Sequence, residues 1–115
     1  MSHDLQRIGK NIATLSAWID DANSDRNNEA ATWARIAKIT EEAGETVAAY
    51  IGATGQNPRK GTTHTMHDVE GELIDVAVTA LAALEHLRGN DGSSMEAFDA
   101  KLRATLERVD LQVSS

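Results

Sequence analysis

Apolar residues recur along this chain at steps of three and four, the spacing that lines one side of an α-helix, and nowhere do they alternate as in a half-buried strand. Four helical segments follow. The first, about residues 4 to 22, carries Leu5, Ile8, Ile12, Leu15 and Ile19 on one stripe before polar DDANSDRNN interrupts it. The second runs from about Glu29 to Ala53, with Trp33, Ile36, Thr40, Ala43, Val47 and Tyr50 or Ile51 on one face. GATGQNPRKGTTH, with three glycines and the only proline, then stops helix continuation. A third helix begins near Thr65, whose spacing to Asp68 fits a capping box, and continues through Val69, Leu73, Val76, Ala80, Leu84 and Leu87 until RGNDG. The fourth opens with Ser93 and Glu96 at the same spacing and carries Met95, Phe98, Leu102, Leu106 and Val109. The pattern predicts an all-α, four-helix bundle-like fold. At 115 residues it is read as one domain, 1–115, because a second core would leave each half marginal.

Two of these helices carry a second stripe. At about 100° per residue, Arg35, Lys38, Glu42, Glu45, Ala49 and Gly52 share one side of the second helix, away from Ile36, Ala43 and Val47. Asp68, Glu72, Asp75, Thr79, Ala82 and His86 do the same on the third. If the Gly-rich linker turns the chain back as an antiparallel hairpin, Glu45 stands eight residues before Ala53 and Glu72 seven after Thr65. Both then lie roughly 11 to 12 Å from the turn, so the two acidic pairs meet at one level. A lone ExxE or ExxD on a helix is usually a solvated face. Two in register are different, because four facing carboxylates repel unless a proton or a cation intervenes. An all-oxygen set selects a hard ion, Mg2+ where phosphates complete its shell, with Mn2+ as a substitute.

Charge and composition narrow the partners. With 11 basic against 18 acidic residues the formal charge is −7, which argues against a basic nucleic-acid binder; an acidic protein that handles phosphates needs a metal between the two. Cysteine is absent, which excludes disulfides and thiolate metal sites. MSHDLQRIGK lacks the apolar core of a signal peptide, and no segment approaches the roughly 20 apolar residues of a membrane span. The expectation is a soluble, cytoplasmic protein with no membrane and no nucleic-acid partner.

Glu42-Ala-Gly-Glu45, a spacer of residues 46 to 71, and Glu72-Leu-Ile-Asp75 resemble the ExxE, variable spacer, ExxD signature of the MazG-like all-α nucleoside triphosphate pyrophosphohydrolases. KITEEAGETVAAYIG and DVEGELIDVAVTALAAL extend the likeness over both central helices. The resemblance implies a helical bundle that forms a homodimer or homotetramer and hydrolyses (deoxy)nucleoside triphosphates to the monophosphate and pyrophosphate. It makes Glu42, Glu45, Glu72 and Asp75 the magnesium ligands. Glu41, just before the motif, could orient the water or a group behind it, although a solvated Glu41 is the plainer account. The rival from another class is a noncatalytic nucleotide- or metal-binding oligomerising module.

Other residues have two readings each. Arg35 and Lys38 could contact phosphate oxygens, while pairing of Lys38 with Glu42 over one turn is the plainer account. Arg59 and Lys60 suit a lid over polyphosphate, or are simply solvated. Trp18 and Trp33 read as core or subunit-interface anchors before base-stacking groups. His64 and His67 fall in no HExxH or ExxH pattern, so surface histidine is preferred to zinc or a di-iron bundle.

Overall fold

The computed structural model describes residues 3–114. Among them lie four helices and no strand: α1 (His3–Ala22), α2 (Asn28–Thr54), α3 (Met66–Leu87) and α4 (Ser94–Arg108). Local chemistry sets their ends. Asn27 caps α2 by accepting from the Ala30 N–H at 2.9 Å, and α2 stops at Gly55, whose φ of 65° is the left-handed conformation that glycine adopts freely. The capping box expected at α3 forms: the Thr65 hydroxyl accepts from the Asp68 N–H at 3.2 Å, and Asp68 Oδ2 accepts from the Thr65 N–H at 2.9 Å.

The box expected at α4 does not form. Ser93 makes no side-chain cap; its hydroxyl donates to Asp91 Oδ1 and accepts from Arg88 Nε. The fully buried Glu85 of α3 replaces it, taking the Gly92 N–H on Oε1 at 2.9 Å and the Ser94 N–H on Oε2 at 2.8 Å. A carboxyl side chain across the helix start satisfies orphan N–H groups that a serine would otherwise serve.

α2 and α3 form the hairpin, and α1 packs on α3 and α4. The approach of α1 is close: a Cβ on Gly9 would strike the Gly92 carbonyl oxygen. At the turn, the Gly52 carbonyl accepts from the Thr63 N–H at 3.0 Å, which folds the linker back over the end of α2. The described molecule is a slab of 47 × 46 × 24 Å with a radius of gyration of 17.1 Å. A chain of this length in one compact body would give about 13 Å.

That thinness comes from which face of α2 is inside. Arg35, Ala49 and Gly52 are buried, whereas Trp33 is 67%, Val47 60% and Tyr50 52% exposed. The stripe read as the apolar side of α2 therefore faces outward, and the acidic stripe faces α3. Small residues explain the choice within this chain: Ala49 is buried, and a Cβ on Gly52 would strike the Thr63 and His64 side chains of the linker, where residues as large as Val47 and Tyr50 would not fit. Trp18 is likewise 68% exposed, so neither tryptophan belongs to the core of this chain. No helix among the described residues is long and apolar enough to cross a membrane.

Candidate functional site

Glu42 and Glu45 stand on one turn of α2, and Glu72 faces them from α3. Each offers one carboxylate oxygen within 4.8 Å of the other two. The convergence follows from the hairpin, whose antiparallel register brings Glu45 and Glu72 to the same level. Glu42 and Glu72 are half-buried and Glu45 is exposed. Asp75, one turn beyond Glu72, is exposed and stands outside this group of three.

The electrostatics are those of crowded anions. The Glu45 carboxyl is held above its ordinary value of 4.5, first by the negative charge of Glu42, then by burial, and further by Glu72 and Glu41. Glu72 Oε2 is buried and has no hydrogen-bond partner. A carboxylate oxygen left so is costly unless something cationic satisfies it. The donor set therefore fits a hard divalent cation, with Glu42, Glu45 and Glu72 as holders and Asp75 as the neighbouring acid.

Lys38 closes one side. Its Nζ lies 3.1 Å from Glu41 Oε1 and 3.6 Å from Glu42 Oε1, and these partners, Glu41 first, raise its affinity for the proton. Lys38 also lines a cavity of about 320 Å³ between α1, α2 and α3. Leu15, Ile19, Ala34 and Val78 give it apolar walls, and Asp20, Asn23, Arg26 and Thr79 give it polar ones.

Arg35 has a different place from the one its stripe suggested. It is buried and donates to the Ala82 carbonyl at 3.1 Å, the Ser16 carbonyl at 2.6 Å, Ser16 Oγ at 3.1 Å and Asp20 Oδ1 at 3.0 Å. A guanidinium so occupied ties α1 and α3 to α2 and is not free for phosphate. Arg59 and Lys60 are exposed in the loop, which Asn57 shapes by accepting the Arg59 N–H on its side chain and the Lys60 N–H on its carbonyl. His64 Nδ1 pairs with Thr63 Oγ1 at 2.9 Å, and His67 is exposed; neither joins the acidic group.

Beside the site lies a polar network that spacing did not announce. Asp20 Oδ1 accepts from His86 Nδ1 at 2.8 Å as well as from Arg35, and Asp20 Oδ2 accepts from Asn90 Nδ2 at 3.0 Å. His86 Nε2 and Thr32 Oγ1 are 2.9 Å apart. One carboxylate of α1 thus holds α2, α3 and the loop before α4 together. Its partners stand 15, 66 and 70 residues away in the chain, so no local pattern in the sequence marks them.

No family model, no curated protein and no solved structure matches this chain.

Proposed function

We propose that this chain is a divalent-metal-dependent pyrophosphohydrolase of nucleoside triphosphates, built like the MazG-like enzymes its paired motifs resemble. One observation carries the reading: three carboxylates of two facing helices converge within 4.8 Å, and one of them keeps a buried oxygen without a partner. In this reading Glu42, Glu45 and Glu72 hold Mg2+, with Asp75 completing the acidic quartet, and Mn2+ can stand in. When bound, the metal neutralises the triphosphate and makes a water more acidic.

The chain's own residues supply the rest. Lys38 stands between the acids and the cavity, placed to meet phosphate oxygens. The cavity, with apolar walls and amide and hydroxyl groups at hand, has the volume and chemistry for the nucleoside end. Glu41, fixed by Lys38, is exposed beside the acidic group and orients the attacking water. The water oxygen bonds to the α-phosphorus as the bond to the bridging oxygen of the β-phosphate breaks, pyrophosphate leaves, and the displaced proton passes to a carboxylate.

Purified protein incubated with a panel of canonical, deoxy and modified nucleoside triphosphates tests this, with Mg2+, with Mn2+ and with a chelator. Monophosphate and pyrophosphate should appear only with metal. Absence of turnover across the panel, with metal bound, would favour a noncatalytic module instead.

A further inference from the structure

The cavity between α1, α2 and α3 has two unlike ends. Along α2 its wall runs through Ala31, Ala34, Arg35 and Lys38, steps of three and four that keep to one side of the helix. From Lys38 back to Ala31 the helix rises about 10 Å. The Lys38 end opens on the acidic group, since Lys38 Nζ is 3.6 Å from Glu42 Oε1. Past Ala31 the cavity reaches the turn between α1 and α2, which contributes Asn23 and Arg26.

The polar groups of the wall are not equally available. Asp20 and Arg35 are bonded to each other at 3.0 Å. The Asn23 side chain gives one amide hydrogen to the Ile19 carbonyl at 2.9 Å and keeps the other hydrogen and its Oδ1. Arg26 is exposed, and its side chain has no ion pair and no hydrogen bond among the described residues, in a chain with 18 acidic against 11 basic residues. A guanidinium has five N–H donors and no acceptor. At the end of a slot walled by Ala31, Ala34 and Val78, it suits a flat ligand whose outer edge carries acceptors.

With the nucleoside in the cavity and its phosphates toward Lys38, the outer edge of the base falls at Arg26. We propose that Arg26, aided by Asn23, makes this a site for 6-oxopurine nucleotides, guanine foremost. O6 and N7 of guanine stand side by side as two acceptors and match the fork of an arginine. Adenine sets its N6 amino group there, donor against donor, and pyrimidines have no N7. A purine is also the longer base, suited to a cavity that must be crossed from Lys38 to the turn. The inference rests on the placement of the nucleoside end proposed above, and not on turnover.

Calorimetric titration with guanosine and adenosine monophosphates in the presence of Mg2+ tests it without requiring hydrolysis. Wild type should bind the guanosine nucleotide at least about fivefold more tightly, the low end for one bidentate base contact because Arg26 is exposed. Arg26→Ala should bring the two affinities together by weakening the guanosine nucleotide alone. Arg26→Gln, whose amide matches N6 and N7 of adenine, should move the preference toward the adenosine nucleotide. Nuclear Overhauser contacts from the bound base to the Ala31 and Ala34 methyls should place it in the cavity. A protein that hydrolysed no triphosphate yet showed this preference and its loss would keep the inference and lose the hydrolase. Equal wild-type affinities, no binding of the guanosine nucleotide, base contacts confined to residues outside the cavity, or a preference that Arg26→Ala leaves intact would overturn it.

Discussion

Glu72 shows most sharply how one residue sets stability against function. Its buried Oε2 has no partner and its neighbours are anions, so its charge works against the fold unless a cation is present. Glu72→Gln should abolish metal-dependent turnover while leaving the metal-free protein as stable as wild type or more so, as thermal melts with and without Mg2+ would read. Glu45 gives this conflict a pH signature. Its folded-state affinity for the proton is raised, so the native state holds more protons than the unfolded chain above about the ordinary value of 4.5. Metal-free protein should therefore gain stability as pH is lowered from 7 toward 5, and the gain should vanish in Glu45→Gln or with saturating Mg2+. Asp20 runs the other way. Burial works to raise it, but bonds from Asn90 and His86 and the charge of Arg35 outweigh that and hold it below its ordinary 3.8. Its contribution is present above about 3.8 and lost as pH falls further, once the native state must take up the proton. Asp20→Asn leaves the buried Arg35 without its counter-charge and should cost about 3 kcal/mol in urea unfolding at neutral pH. An unchanged midpoint would show that the bonds of Arg35 to Ser16 and Ala82 suffice.

Among the elements, the α2–α3 hairpin was the most legible in the sequence, and α4 the least. Counting from the Gly-rich linker placed Glu45 and Glu72 at one level because helical rise is constant and both ends of the turn carry strong signals, Gly55 and the Thr65 box. The same periodicity could not say which stripe faces inward. Trp33, Ile36, Val47 and Tyr50 have the spacing of a core whether the surface they meet is in their own chain or outside it. Ser93 and Glu96 had capping-box spacing too, yet the cap of α4 came from Glu85, a residue of another helix that no local pattern points to. Glu85→Ala removes the two bonds that Glu85 accepts from the Gly92 and Ser94 N–H groups at the start of α4, and a buried donor left without its acceptor costs about 1 to 3 kcal/mol. Hydrogen exchange should then show α4 amides losing protection before those of α2 and α3. Loss of protection throughout the chain at once would mean that α4 is integral to one cooperative unit.

Across the whole molecule the two faces of the hairpin differ in chemistry. The acids, Lys38 and the cavity occupy one side, and the exposed apolar side chains of α2 and α3 occupy the other. Metal that binds only the native site must stabilise the protein, by about 2.7 kcal/mol at a hundredfold excess over its dissociation constant. That coupling alone would not distinguish an enzyme from a metal-binding module, because both gain it. The bond that is broken does distinguish them. Phosphorus NMR of a nucleoside triphosphate digested with Mg2+ in oxygen-18 water should show the monophosphate and pyrophosphate, with the heavy oxygen on the monophosphate, for wild type and not for Glu72→Gln. Diphosphate with orthophosphate, or an unchanged triphosphate under conditions where metal is bound, would contradict the account.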